Sequence, residues 1–227
     1  MKEITLTIDD KTIIAPEGQK ILWAALENDI YIPNLCAIQD REEPSAACRL
    51  CFVEVEGWNE PVAACAETVR EGMVVYTRRE KALRLARTSA ELLLASHLLD
   101  CGHCQKNRSC ELQKIAKHLG VKLKTNRLRK LERKLSIDDS SPAFIYDPNK
   151  CVLCGRCVWV CREQLRIGAI GFIQRGFKRR VSTFGNKPLA ESRCQGCIEC
   201  VKVCPVGALT FKNSRAPDES PHSPSEA

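Results

Sequence analysis

From Glu3 onward apolar and polar residues alternate: Ile4, Leu6 and Ile8 are separated by Thr5 and Thr7. A period of two predicts a strand with one buried face. Asp9-Asp10-Lys11 supplies turn chemistry, and Thr12-Ile13-Ile14 returns as a second strand. Pro16-Glu17-Gly18 breaks the pattern, after which Ile21, Leu22, Ala25 and Leu26 share one face of a short helix that Pro33 closes off. A loop with three cysteines follows. Phe52 to Glu56 alternates again as a strand, Gly57 opens a turn, Pro61 to Ala64 follows, and Met73 to Thr77 reads as the last strand. Residues 1–78 are thus expected to form a small sheet carrying one helix.

Beyond that point the period lengthens. Leu83, Ala86, Ala90, Leu93 and Leu94 recur at helical spacing, with His97 at the helix end, and a second helical stretch begins near Cys110. Residues 79–139 are expected to be mostly helical. Ser140-Ser141-Pro142 and Asp147-Pro148-Asn149 are loop signals. Residues 140–212 then hold an internal repeat: the run from Cys151 to Cys161 returns as the run from Cys194 to Cys204, each with the spacing C-x2-C-x2-C-x3-C. Gly168-Ala169-Ile170 matches Gly207-Ala208-Leu209 but lies four residues further from its last cysteine. Two copies of one loop–helix unit, each followed by a short strand, account for this. The tail 213–227 is rich in Ser, Pro, Glu and Asp and is expected to be disordered.

Composition sharpens this picture at one point. The chain has 227 residues and 15 cysteines, while aromatic residues make up only 5%. Such a cysteine count signals disulfides or metal. The N-terminal alternation lacks the apolar h-region of a signal peptide, and no run approaches the roughly 18 apolar residues of a membrane span. The expected compartment is the cytoplasm, where thiols stay reduced and clustered cysteines bind metal. The net charge of +7 is concentrated in Lys122 to Lys134 and Lys178-Arg179-Arg180. No nucleic-acid reading motif accompanies it, so a solvated face or a dock for an acidic partner is the simpler reading.

The cysteines fall into groups: Cys36, Cys48, Cys51 and Cys65; Cys101, Cys104 and Cys110, with His97 four positions before Cys101; and the two four-cysteine runs. With the histidine this makes four sets of four donors and leaves no cysteine over. The repeated run is the most specific signal. Three thiolates at two-residue intervals wrap one [4Fe–4S] cube, and the fourth faces the neighbouring centre, as in two-cluster ferredoxins. This assigns Cys151, Cys154, Cys157 and Cys204 to one cube and Cys194, Cys197, Cys200 and Cys161 to the other. Structural zinc favours separated C-x2-C pairs instead. In the first group Cys48-x2-Cys51 has single outliers 12 residues before and 14 after. That departs from plant-type ferredoxin spacing, and it leaves a [2Fe–2S] centre or a zinc site open. A histidine at a helix end is commonly a cap, but three cysteines leave a cube one ligand short, which makes His97 a candidate. His103 competes, although it stands too close to Cys101 and Cys104 to reach a separate corner.

These residues carry a family resemblance. Tyr31-Ile32-Pro33-Asn34-Leu35-Cys36, Cys48-Arg49-Leu50-Cys51, His97 through Cys104, Cys110-Glu111-Leu112-Gln113, Asp147 through Cys151 and Arg175-Gly176-Phe177 resemble the iron–sulfur part of the complex I large electron-input subunit. They are equally similar to that of [FeFe]-hydrogenases and NAD-dependent formate dehydrogenases. The resemblance spans residues 1–212 and implies an α+β chain of three units. These are a ubiquitin-like β-grasp [2Fe–2S] domain (1–78), a helical [4Fe–4S] domain with His97 and three cysteine ligands (79–139), and a ferredoxin-like domain with two [4Fe–4S] clusters (140–212). Ala46-Ala47 stand where the family usually has glycine. The hydrogenase or molybdopterin domain of larger relatives does not follow, which makes the chain similar to the small diaphorase subunit of NAD-linked [NiFe]-hydrogenases.

No G-x-G-x-x-G, Walker loop or spare cysteine nucleophile is present. What the resemblance implies is therefore a relay subunit of an oxidoreductase complex without an active site of its own. Its four clusters would connect an NAD(H)-reacting, FMN-containing flavoprotein subunit to a separate catalytic subunit such as a hydrogenase or formate dehydrogenase. A free-standing polyferredoxin and a zinc-binding scaffold are the alternatives.

Overall fold

The computed structural model describes residues 2–124 and 127–212; the expected tail lies outside them. β1 (Glu3–Ile8) buries Ile4, Leu6 and Ile8. It turns through Asp9 and Asp10, both at positive φ (47° and 66°), into β2 (Lys11–Pro16), in register Ile8 to Lys11. Two consecutive left-handed residues match the twist of a tight hairpin, and aspartate tolerates them better than most side chains. α1 (Ile21–Glu27) buries Ile21, Leu22, Ala24 and Ala25. After a long loop come β3 (Phe52–Val55), β4 (Val62–Ala63) and β5 (Val74–Tyr76). The sheet order is β2-β1-β5-β3-β4, with β5 parallel to β1 and antiparallel to β3. With α1 packed in the same core, this is the β-grasp arrangement.

α2 (Glu80–Ser96) buries Ala82, Ala86, Ala90 and Leu94 along one stripe, with Leu83 and Leu93 at its margins. α3 (Glu111–Leu119) buries Leu112, Ile115, Ala116 and Leu119 and stops at Gly120. There a left-handed φ of 66° lets the capping amide close on the last carbonyls. The third segment contains β6 (Phe144–Tyr146), α4 (Arg156–Trp159), β7 (Ile170–Ile173), β8 (Arg180–Thr183), α5 (Glu199–Lys202) and β9 (Leu209–Phe211). As expected, a strand follows each copy of the repeat. The two strands pair elsewhere, however: β9 with β6, and β7 with β8 in a hairpin of its own. The four extra residues of the first copy are taken up where α4 runs on into a π-helical turn, Val160–Gln164. Leu94, Leu112 and Ile115 share one core with Phe144, Val152, Val201 and Leu209, so the second and third segments are packed as one body.

One expectation needs correction. Helix does not fill most of 79–139: it ends at Leu119, and residues 121–124 and 127–137 run without helix or strand. Leu128, Leu131 and Leu135 stand at helical spacing, but the backbone there makes its hydrogen bonds to other segments instead of to itself. Hydrogen bonds to its neighbours hold it as a strap. Leu131 N–H donates to Ala95 O (2.8 Å), and Lys130 Nζ donates to His97 O (2.6 Å), which cover the open carbonyls at the end of α2. Leu135 and Asn149 exchange two bonds of 2.8 Å.

The loop before Cys48 turns through Ala46 at φ 44°, in the region where a Cβ costs about 1–2 kcal/mol. Ala46→Gly is therefore expected to raise stability by about 1 kcal/mol. The readout is a higher urea midpoint at unchanged slope; a lower midpoint would show that the packing of the Ala46 methyl outweighs its strain.

Candidate functional site

The first set gathers where two cores meet. Cys51 and Cys65 belong to the core of the sheet, and Cys36 and Cys48 to the core shared by the later segments. Pairing of β3 with β4 brings Cys65 to Cys51, fixed by Ala64 N–H donating to Cys51 O (2.9 Å). Cys48 N–H donates to Cys36 Sγ (3.4 Å). All four thiols are buried. They lie in hydrogen-bonding pairs, Cys36 with Cys48 and Cys51 with Cys65. Within each pair the bond lowers the accepting sulfur (Cys36, Cys65) and raises the donor (Cys48, Cys51).

The second set lies between α2, α3 and the third segment. Cys101 and Cys104 bracket a single turn and Cys110 precedes α3. Burial raises the Cys110 thiol, and the charges of Cys104 and Cys101 raise it further. His97 caps α2 and is buried, and its Nδ1 has no hydrogen-bond partner. Burial pushes its pKa down to about 4. A hydrogen bond that the ring donates to the Lys150 backbone carbonyl opposes this shift, while the charges of Lys130, Lys150 and Arg133 add to it. The ring is neutral at physiological pH, and an unpartnered buried nitrogen is what a ligand to a soft metal centre offers. His103 behaves differently: its side chain is 88% exposed and its Nδ1 sits 2.8 Å from Asp100 Oδ1. The structure thus separates the two histidines that spacing alone leaves in competition.

Asp147 through Lys150, a loop signal in the sequence, ties this set to its surroundings. Asp147 Oδ1 accepts from Asn149 N–H (3.0 Å) and Asn149 Nδ2 (2.9 Å), and Asp147 Oδ2 pairs with Lys150 (3.6 Å). Arg133 on the strap donates to Pro148 O (3.3 Å) and Cys151 O (3.0 Å). In the sequence Arg133 and Lys130 are only part of a basic run. Their roles depend on where the strap lies.

The repeated runs cross over. Cys204 lies near enough to add to the raising of Cys151, Cys154 and Cys157, and Cys161 to that of Cys194 and Cys200, while Cys200 also bears on Cys157. Burial is the larger cause in every case, and it pushes Cys154 and Cys200 up to about 12. Each fourth cysteine therefore sits with the other copy. Leu153 N–H donates to Cys151 Sγ (3.4 Å) and Ala169 N–H to Cys161 Sγ (3.3 Å). Cys161, Cys194, Cys197 and Cys200 line a cavity of about 450 Å³. In both copies the loop is left-handed at the same two places: Leu153 (56°) and Gly155 (80°) in the first, Gly196 (69°) and Ile198 (61°) in the second. Glycine occupies one of the two in each copy, and the side chain at the other is held in strain, as is common where a loop serves a site. Among the described residues, no group of three or more His, Cys, Asp or Glu side chains is drawn together as around a single ion.

Three protein-family models match the chain. They are described as a 2Fe-2S iron-sulfur cluster binding domain (residues 1–80), an NADH-ubiquinone oxidoreductase-G iron-sulfur binding region (87–124) and an NADH-quinone oxidoreductase subunit 3 ferredoxin-like domain (141–210). Binding domains of both the 2Fe-2S and 4Fe-4S kinds are therefore present. The NADP-reducing hydrogenase subunit HndD of Solidesulfovibrio fructosivorans is 38% identical over 213 residues, covering 92% of this chain and 36% of that protein. The mitochondrial NADH-ubiquinone oxidoreductase 78 kDa subunit of Neurospora crassa is 32% identical over 212 residues, covering 92% of this chain and 28% of that protein. The chain thus spans only about a third of the length of these relatives. One chain of the crystal structure of the NAD+-reducing [NiFe]-hydrogenase in the H2-reduced state superposes with a TM-score of 0.83 at 31% identity, covering 96% of this chain and 90% of that one. The same order of iron–sulfur domains and a likeness along nearly the whole of both chains place this protein in the family of iron–sulfur subunits that includes the NADH-ubiquinone oxidoreductase 78 kDa subunit and that hydrogenase chain.

Proposed function

We propose that the chain is an electron-relay subunit with one [2Fe–2S] cluster on Cys36, Cys48, Cys51 and Cys65 and three [4Fe–4S] clusters. The cubes take His97, Cys101, Cys104 and Cys110; Cys151, Cys154, Cys157 and Cys204; and Cys194, Cys197, Cys200 and Cys161. What supports this reading most is that Cys204 lies by Cys151, Cys154 and Cys157 and Cys161 by Cys194 and Cys200, so that each copy of the repeat would take its fourth donor from the other. A pair of independent zinc loops has no need of that exchange. When bound, such clusters accept and return one electron each, with potentials tuned by ligands, hydrogen bonds and burial. The chain contributes amides aimed at Cys151 and Cys161, a neutral imidazole at His97, and the cations Lys130, Arg133 and Lys150 beside it, all of which favour the reduced state of the nearby centre.

The partners in this reading are an NAD(H)-reacting flavoprotein subunit and a separate catalytic subunit, a hydrogenase, formate dehydrogenase or other oxidoreductase, in the cytoplasm. Its support is the likeness to subunits whose names state NADP reduction and NADH-ubiquinone oxidoreduction. Among the described residues no helix is long and apolar enough to cross a membrane. The units proposed are 1–78, 79–139 and 140–212.

Anaerobically prepared protein is expected to be brown and to carry about 14 iron atoms per chain, the sum for one [2Fe–2S] and three [4Fe–4S] centres; a few zinc atoms and no iron would sink the reading. Cys204→Ser should damage the cube of Cys151, Cys154 and Cys157 and spare that of Cys194, Cys197 and Cys200. Paramagnetic resonance of the reduced protein showing the opposite pattern would reverse the crossover. His97→Ala should alter one [4Fe–4S] signal, with loss of up to about 4 iron atoms, and His103→Ala should alter none. Equal effects from both would remove the distinction between the two histidines.

A further inference from the structure

Gly207 lies in the turn between Cys204 and β9. A Cβ added to it would overlap Cys104 Sγ, and would stand 3.8 Å from Lys106 Cβ and 3.9 Å from Lys150 Cδ. The φ of Gly207 is outside the left-handed region, so its backbone conformation does not call for glycine. Space does. Its counterpart in the first copy of the repeat, Gly168, has the opposite character: φ is +62° and a Cβ there would meet nothing within 4 Å. Two glycines aligned by sequence are thus required for different physical reasons.

The contact at Gly207 does not stand by itself. Glu111 N–H, next to Cys110, donates to Pro205 O (3.0 Å), and Leu98 N–H, next to His97, donates to Asn149 O (2.9 Å). The second donor set is therefore fastened to the third segment beside His97 and beside Cys110, with Cys104 pressed on Gly207. Cys204 Sγ in turn donates to Val206 O (3.0 Å). Cys104 Sγ hangs on a single Cβ from a turn tied at Cys104 N–H to Cys101 O (3.3 Å), so it can yield only by turning about χ1 to another rotamer, which carries it away from its present corner, or by moving that turn.

We propose that Gly207 is a positioning residue for Cys104, and that its bare Cα forms the shared wall between the set of His97, Cys101, Cys104 and Cys110 and the set of Cys151, Cys154, Cys157 and Cys204. The inference rests on both sets holding clusters. The wall joins them directly: Cys104 Sγ lies against Gly207, and the chain from Gly207 back to Cys204 ends on a donor of the other set. A methyl group at 207 displaces Cys104, removes one corner of the second set and widens the gap that an electron must cross.

The test is Gly207→Ala in the full chain, prepared anaerobically, beside Gly171→Ala, where a Cβ meets nothing within 4 Å and φ is not positive. Gly207→Ala should lose or shift the signal of one [4Fe–4S] centre, iron falling from about 14 toward about 10 per chain. The [2Fe–2S] signal, whose donors Cys51 and Cys65 lie in the core of the sheet while Cys36 and Cys48 line the core that Gly207 borders, should be retained and reports that both cores have folded. Gly171→Ala should keep every signal. A thermal cycle reads the contact without relying on cluster spectra. Gly207→Ala should lower the midpoint in the parent chain but add little in a Cys104→Ala background, because the overlapping sulfur is gone. Equal drops in both backgrounds, or full iron with unaltered spectra in Gly207→Ala, would overturn the proposal. If the parent chain itself lacks iron in the second set, the cluster reading fails there, while the thermal cycle still decides the contact.

Discussion

Everything in this fold answers to one constraint: a run of closely spaced cysteines gathers only some of the thiols that end up together, and the others must arrive from elsewhere. Cys204 comes to lie by Cys151, Cys154 and Cys157, and Cys161 by Cys194 and Cys200. Cys36 and Cys65 reach Cys48 and Cys51 from either side, and the cysteines around α3 lie beyond the end of α2, where His97 stands. Thiols crowded together without iron are uncomfortable. Burial and neighbouring charge raise most of those in the two repeat sets. Iron takes thiolates, so loading releases protons and stabilises only the folded arrangement, which links metal binding to folding.

Packing follows from the same constraint. A chain with 5% aromatic residues builds its cores from alanine, leucine, isoleucine and valine, and cysteines complete them. The first set lies between two cores, with two thiols in each. The second and third segments merge into one core, because the second set is fastened at several points to the backbone around Asn149 and Pro205. The basic strap covers this junction. Lys130 covers carbonyls at the end of α2 and Arg133 covers those at Pro148 and Cys151, so positive charge is placed beside His97.

The ligand loops also store strain. Leu153 and Ile198 sit at left-handed positions that glycine occupies in the opposite copy. The repeat is therefore more regular in its backbone than in its residues. Ala46 is the counterpart in the first unit, where a side chain stands at a left-handed turn before Cys48. Such positions hold because several donors converge on the same loop and over-determine its path.

Sequence by itself determined the elements whose signal is local. The period-two strands of the first unit, the Asp9-Asp10 turn, α1, α2 and α3, and the doubled cysteine run are all visible as spacing. The sequence also carries the expectation that each fourth cysteine serves the other copy, because helix geometry turns that residue away from its own loop. What remained hidden depends on distant partners. β6 and β8 span only three and four residues, too few for a period to stand out in the sequence, and they exist because β9 and β7 pair with them. The strap looks helical in composition, and it is extended because its hydrogen bonds go to α2 and Asn149 instead of to itself. His97 and His103 are equivalent as letters beside cysteines. Only the fold buries one with an unpartnered nitrogen and leaves the other in solvent against Asp100, since burial is a property of everything that packs around a residue and not of the residues next to it in the chain.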